Sequence, residues 1–170
     1  MFRDQMRKNI TILFLIISTI IMLNSCERDE VCIDPITSNL VVVFYDFDDS
    51  ESEKSVNNLA IEIIDIDGIG KSLDTVKIDS VGIPLNVYDN QTKIVLTANS
   101  KDDSQINRDT IIINYETEEV FVGRSCGYKS IFNNVTISRD FNDSDKWIKS
   151  LLLTQTEIED ETEAHVTILH

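Results

Sequence analysis

Short apolar runs separated by polar turns recur along most of the chain, roughly every 10 to 15 residues. The apolar, β-branched run Leu40–Tyr45 predicts a strand that is buried on both faces. Residues 92–98 alternate instead, which predicts a strand with Ile94, Leu96 and Ala98 directed inward. The pattern along the chain is therefore typical of many short β-strands.

The same pattern predicts further strands, and no helical period competes with them after residue 25. One helical turn is predicted within 143–149, and segment 155–163 is either a polar hairpin loop or a short helix. Many short strands without helical layers predict an all-β domain, specifically a β-sandwich of immunoglobulin-like form. The further strands are predicted at 59–66, 75–78, 83–85, 110–115, 120–122, 128–132, 134–138, 147–153 and 164–169.

Residues 1–25 have the layout of a secretory signal peptide. Arg3, Arg7 and Lys8 form a basic start, and an apolar stretch of about 14 residues follows them. This stretch is shorter than the roughly 20 apolar residues that a membrane-spanning helix needs. An uncleaved signal anchor is the alternative interpretation, in which the cysteine after the stretch is incidental.

The stretch runs into Leu23-Asn24-Ser25-Cys26, which resembles a lipobox. In lipoproteins with this pattern the chain is cut before the cysteine, and the cysteine thiol carries a diacylglyceryl group. Two or three acyl chains hold a protein far more firmly than one, because each buried CH₂ contributes about 0.8 kcal/mol. We therefore predict a signal peptide at 1–25, a tether at 26–37 lipidated on Cys26, and a β-sandwich domain at 38–170.

The net charge of the chain argues against two classes of binding partner. The chain carries 30 acidic and 15 basic residues, a net charge of −15, and residues 1–25 contribute +2 to that total. The chain without this segment therefore carries about −17. Such an acidic balance argues against nucleic acid and against anionic lipid surfaces as partners, because both would repel it.

Two cysteines, Cys32 and Cys126, are left once Cys26 is assigned to the lipid. In an oxidising compartment two such cysteines predict a disulfide. A bond that closes a loop of some 90 residues would stabilise the fold by roughly 4–5 kcal/mol in the chain-entropy model. The alternatives are two unpaired buried thiols and bonds to other chains.

No motif in the chain points to catalysis. The G-x-S-x-G signature of a serine nucleophile is absent. His165 and His170 are five residues apart, so in a strand they would point to opposite faces and would not share a metal ion. We predict packed or exposed terminal histidines, no enzyme activity, and no cofactor apart from the covalent lipid.

Loops rich in carboxylates are the candidate metal sites, because Ca²⁺ takes oxygen ligands. Two of these loops contain Asp46 and Asp65, and neither they nor a third loop matches the twelve-residue EF-hand pattern. We therefore interpret all three as solvated surface. The third loop is the strongest calcium candidate and supplies Asp140, Asn142, Asp143 and Asp145.

Four aromatic residues have two competing interpretations. They are Phe121, Tyr128, Phe132 and Trp147. Aromatic rings would suit a sugar-binding face, but they also bury large areas in the core of a sandwich. We favour the core for all four.

Several motifs together resemble a known family. They include Cys32-Ile33-Asp34-Pro35, the run LVVVFYD at 40–46, DSVGIPLN at 79–86, YETEEVFVGRSCGYKSIF at 115–132 and the closing EAHVTILH. On these motifs the chain resembles a family of small Bacteroidota-type lipoproteins catalogued as a domain of unknown function. The resemblance supports pairing Cys32 with Cys126, because both cysteines lie within shared motifs. It implies no activity.

The residues after Cys26 indicate a location. Glu27, Arg28, Asp29 and Glu30 are similar to a tag that sends lipoproteins of such bacteria to the outer surface, with Arg in place of the more usual Lys. An outer-membrane lipoprotein of the cell envelope is the expected product. Whether it faces the periplasm or the cell surface is left open.

Three hypotheses about function follow. The leading one is a non-catalytic envelope module that is held to the membrane by its lipid and binds an envelope protein or supports an envelope complex. The second is a surface module that captures glycans or calcium through the loops near Asp48, Asp67 and Asp143. The third is a carboxylate-dependent hydrolase, whose paired carboxyl groups would be spaced in the fold rather than along the sequence.

Overall fold

The computed structural model describes residues 2–22, 32, 37–64, 70–74, 77–140 and 145–170. The chain divides into two units, Met1–Cys32 and Ile33–His170. The described part of the first unit contains one helix, α1, at Phe2–Met22. Within the described residues, no helix is both long and apolar enough to cross a membrane. The signal peptide and the domain boundaries predicted above remain predictions.

Strands make up nearly all the regular structure of the second unit. Their bounds are β1 Leu40–Tyr45, β2 Val56–Asn57, β3 Ala60–Ile64, β4 Gly70–Asp74, β5 Lys77–Ile78, β6 Ser80–Ile83, β7 Gln91–Ala98, β8 Asn107–Gly123, β9 Gly127–Arg139, β10 Ser150–Leu153 and β11 Val166–Leu169.

These strands form two main sheets and one small one. The first main sheet has the order β10-β11-β1-β6, with β1 parallel to β11 and the other neighbours antiparallel. The second has the order β4-β3-β7-β8-β9 and is antiparallel throughout. β2 and β5 pair separately. The prediction of an all-β fold with the sheets of a sandwich is confirmed, whereas its immunoglobulin-like form remains a prediction.

A single apolar core is built from alternate residues of both main sheets. In the second sheet, Ile94 and Leu96 of β7 are fully buried, as the alternation in 92–98 predicted. In the first sheet, Val166 and Ile168 of β11 are fully buried as well. All four belong to one hydrophobic cluster, so the two sheets share a common interior.

Strand β1 differs from its prediction. Leu40, Val42 and Phe44 are fully buried, but Val41 and Val43 between them are only partly buried. Burial on both faces was therefore the wrong expectation. Only one face of the four-stranded sheet packs on the core, so β-branched residues on the other face contribute to the strand without full burial.

The four separate strands predicted between 110 and 138 are two long strands. β8 and β9 pair from Ile111↔Arg139 to Gly123↔Gly127, with register shifts between Asn114 and Glu116 and between Phe121 and Gly123. The polar residues between the predicted strands interrupted the apolar pattern, so the sequence predicted four strands. A hairpin that faces solvent keeps its backbone hydrogen bonds without such a pattern. Cross-strand amides help, since Asn134 Nδ2 donates to Glu116 Oε2 at 2.9 Å.

The segment 155–163 forms the connection between β10 and β11, as the hairpin-loop alternative predicted. It is not wholly polar, because Ile158 is fully buried and forms a bridge with Phe132 of β9. Ile158 N donates to Phe132 O at 2.8 Å. Residues 145–149 are not helical, and the rest of the predicted helical turn lies outside the described residues.

Candidate functional site

The far half of the β8–β9 hairpin extends beyond the neighbouring strand. The pairing of β7 with β8 ends at Gln91↔Asn114, whereas β8 and β9 continue together to Gly123↔Gly127. We call residues 116–130 the arm. In the part of the chain that the structure describes, β8 has no strand partner on its β7 side within the arm.

Two aromatic side chains pair in the open near the end of the arm. Phe121 and Tyr128 are cross-strand partners, with ring centroids 5.3 Å apart and ring planes at 64°. Their side chains are nevertheless 57% and 61% exposed, and the adjacent Val122 is 38% exposed. An edge-to-face pair stabilises a hairpin by about 0.5–1.5 kcal/mol. The exposed apolar area that it leaves is typical of a contact surface.

A tight turn closes the arm. Gly123 pairs with Gly127, and Arg124, Ser125 and Cys126 form the loop between them. Gly127 has a φ of +71°, a conformation that favours glycine. Arg124 and Ser125 are exposed, while Cys126 is partly buried and disulfide-bonded. Cys32, in the first unit, is disulfide-bonded as well.

The base of the arm is rooted in the core. The rings of Tyr115 and Phe132, both buried, meet edge to face with centroids 4.9 Å apart. The Tyr115 hydroxyl donates to Asn86 O at 2.7 Å and lies 2.5 Å from Thr92 Oγ1. The arm therefore emerges from a rigid base rather than from a loop.

The connection between β10 and β11 braces one side of the arm. Lys129 Nζ donates to Glu159 O at 2.9 Å, and Ser38 Oγ donates to the same carbonyl at 2.6 Å. Thr37 forms a bridge with Ser130 of the arm. These contacts cover the β9 edge of the arm and leave its end exposed.

The structure divides the four aromatic candidates into two groups. Phe132 is core, and Trp147 packs against His170 with ring centroids 5.4 Å apart while its Nε1 donates to Leu96 O at 3.2 Å. For these two the core interpretation is confirmed. For Phe121 and Tyr128 it is wrong, because the hairpin carries them past the sheet edge where the core ends.

Both histidines are packed, which is one of the two outcomes that the sequence left open. His165 is 1% exposed, and its Nδ1 accepts the backbone N–H of Val41 at 2.9 Å. Burial lowers the pKa of His165, opposed by the nearby carboxylate of Asp160. Burial also lowers the pKa of His170, whose Nε2 lies 3.1 Å from Lys54 O.

Two of the acidic loops use a carboxylate for an ion pair within the protein. Asp140 Oδ2 lies 3.8 Å from Lys93 Nζ, and Asp46 Oδ2 lies 3.0 Å from Lys54 Nζ. The backbone N–H of Asp48, followed by Lys54, lowers the pKa of Asp46. Among the described residues, no three His, Cys, Asp or Glu side chains come together as a metal site would require.

Most of the remaining calcium and lipid candidates lie outside the described residues. Asp145 is exposed and described, whereas Asn142 and Asp143 lie outside the described residues. The proposed lipidation site, Cys26, lies outside them too, and so do Asp65 and Asp67 of the second acidic loop. Calcium binding and lipidation therefore remain predictions.

Comparisons with known proteins locate the chain in one family. Neither a search of curated proteins nor a search of solved structures found a match. A family profile does match, over residues 58–170, and it covers β3 to β11 together with the arm. The match begins after β1 and says nothing about lipoproteins or about the source of the chain. The chain belongs to the family of unknown function DUF6452.

Proposed function

We propose that the protein is a non-catalytic lipoprotein of the bacterial outer membrane, anchored by a lipid on Cys26, that binds an envelope protein through the arm. The single observation that carries the contact role is the arm itself, whose β8 edge has no strand partner on its β7 side within the described residues. An unpaired strand edge is a ready template for pairing with another chain. The lipobox at Leu23-Asn24-Ser25-Cys26 supports the anchor.

The β8 edge of the arm suits a protein partner. Beyond Asn114 this edge faces no other strand within the described residues, so an extended segment of a partner can add to it by backbone hydrogen bonds. Glu116, Glu118 and Glu119 are exposed along the same strand. Charges on an open edge discourage indiscriminate strand pairing, and these acidic ones favour a partner segment rich in Lys or Arg.

The anchor is tested by mass spectrometry of the full-length protein purified from the membrane of a lipoprotein-processing bacterium. We expect a mature chain that begins at Cys26 and carries acyl chains. The matched control is C26S, which should keep residues 1–25 and lack the lipid. An intact N-terminus and an unmodified Cys26 in the natural sequence would contradict the proposal.

The partner is tested by a photoreactive residue at Glu119 of the arm. A matched control places the same residue at Ser80, which is exposed on the edge strand β6. We expect a discrete cross-linked species from position 119, sensitive to charge reversal of Glu116 and Glu118, and no such species from position 80. Equal labelling from both positions, or none from either, would count against the arm as the binding surface.

A glycan-binding module is the second candidate, and the exposed Phe121–Tyr128 pair favours it because sugar C–H groups pack on aromatic faces. Titration calorimetry with envelope glycans separates the two candidates. Binding that is lost in the variant F121A/Y128A supports the glycan function. Heat signals that are equally flat for the natural chain and for the variant would remove it.

A further inference from the structure

The end of the arm combines three features that occur together nowhere else in the described part of the second unit. It carries the exposed aromatic pair Phe121–Tyr128, the exposed apolar Val122, and a turn that contains the disulfide-bonded Cys126. Other exposed aromatic residues, such as Phe47 and Tyr88, stand singly. Exposed single residues are normal on a protein surface, whereas a cluster indicates a contact.

The disulfide connects this cluster to the anchor. Cys32 and Cys126 are both disulfide-bonded, and acylation of Cys26 leaves them as the two cysteines of the chain that can bond to each other. Cys32 follows Cys26 by six residues, which span at most about 20 Å when fully extended. A lipid on Cys26 would then be six residues along the chain from the cysteine that bonds to the turn of the arm.

We propose that the tip of the arm, formed by Phe121, Val122, Arg124 and Tyr128, inserts into the headgroup region of the membrane that holds the lipid on Cys26. The proposal rests on the lipid anchor proposed above. It assigns the tip to the bilayer, and it leaves the β8 edge nearer the base of the arm for the protein partner.

The chemistry of the tip fits a membrane interface. Aromatic residues with an apolar body and a polar end concentrate at the headgroup level, and Tyr128 is of this kind. The exposed Arg124 can lay its methylene stem along the apolar side chains and keep its guanidinium among the headgroups. A headgroup layer is about 5–8 Å deep on each side of the hydrocarbon, which matches a single turn of a hairpin better than a whole domain.

Apolar burial rather than charge would drive this insertion. The mature chain carries about −17, so anionic headgroups would repel its body. Glu118 and Glu119 lie further along the arm towards its base, paired with Ile131 and Ser130. The tip itself carries one charge, on Arg124. Zwitterionic lipid is therefore the appropriate surface for a test.

The experiment uses the mature protein, expressed from the full-length chain and beginning at an acylated Cys26. It is reconstituted into phosphatidylcholine vesicles that contain brominated phosphatidylcholine, a short-range quencher of tryptophan fluorescence. Single tryptophans are introduced at the tip by F121W and, independently, by Y128W. The matched control is Y88W, because Tyr88 is 96% exposed in the turn between β6 and β7. Trp147 is present in every variant and gives a constant background.

We expect the brominated lipid to remove most of the added emission in F121W and Y128W and to leave the emission of Y88W unchanged. Two tip reporters guard against a variant that does not fold. If neither tip variant is quenched more than Y88W although Cys26 carries its lipid, the inference is wrong and the proposed anchor stands. Equal quenching of F121W, Y128W and Y88W would also overturn the inference, because the tip would then be no closer to the lipid than the control position. An unacylated Cys26 with no vesicle retention would overturn both proposals.

Discussion

His165 forms a reciprocal pair with the backbone of Val41, donating through its own backbone N–H and accepting through its ring. His165 N donates to Val41 O at 2.9 Å, and Val41 N donates to His165 Nδ1, also at 2.9 Å. The ring can accept this bond only while Nδ1 is unprotonated. His165 directly precedes β11. As a neutral, buried histidine it therefore joins the start of β11 to β1, and the two strands run parallel.

Acid should weaken this connection. The unfolded chain has an ordinary histidine pKa of about 6.5, and burial lowers the folded pKa of both His165 and His170. Between the two pKa values the unfolded state binds more protons, so the free energy of unfolding rises with pH there. Stability should therefore be fully present above about pH 6.5 and decline as the pH falls towards the folded pKa.

Urea unfolding at about pH 7.5 and about pH 5.5 measures this effect, because most carboxylates stay ionised over that range. The control is H165Q, in which an amide oxygen can accept the Val41 N–H but does not titrate. H165Q should show a smaller loss of stability on acidification than the natural chain. Equal losses in the two proteins would show that His165 is not responsible.

Removal of the disulfide should cost stability. C32S/C126S opens a loop of 90-odd residues, so the free energy of unfolding should fall by up to about 4–5 kcal/mol. Chemical unfolding with and without a reducing agent measures the change. The reducing agent should destabilise the natural chain and have no effect on the double variant. Insensitivity of the natural chain would mean that the bond does not form in solution.

The two aromatic pairs of the hairpin should differ sharply in their effect on folding. F132A empties a fully buried site, and we expect a loss of about 3–5 kcal/mol in the free energy of unfolding. F121A/Y128A removes an exposed pair, and the expected loss is about 0.5–1.5 kcal/mol. Thermal and urea unfolding of both variants give the comparison. A large loss at the tip would identify Phe121 and Tyr128 as structural and would undermine a contact role.

The connection between β10 and β11 should be sensitive at a single position. I158A removes a fully buried side chain that packs in the core, and should destabilise the fold by about 2–5 kcal/mol. E157A, its matched control, changes the exposed neighbouring residue and should have an effect within about 0.5 kcal/mol. Calorimetry gives the melting temperatures of the two variants. Similar melting temperatures would contradict the expectation that the buried Ile158 side chain stabilises this connection.

Some features of the protein could be read from the order of its residues. The alternation in β7 predicted the inward direction of Ile94 and Leu96, because side chains on a strand alternate whatever the rest of the fold does. The many short apolar runs predicted the all-β class, because the length and spacing of such runs are also local properties of the sequence. The five-residue spacing of His165 and His170 predicted that the two rings would not share a metal ion, and left open whether they are packed or exposed.

Other features depended on partners that are distant in sequence. Nothing local distinguishes Phe121 from Phe132, and only packing against Tyr115 and Ile158, which are distant in sequence, makes Phe132 the buried one. Ile158 is one apolar residue in a polar segment, and its burial depends on the position of β9. The sequence by itself determined the strand periodicity and the class of fold, because these follow from local geometry. The tertiary structure alone decided which apolar residues are exposed to solvent. Burial depends on where a residue lies relative to the sheet edges and on which distant residues pack against it.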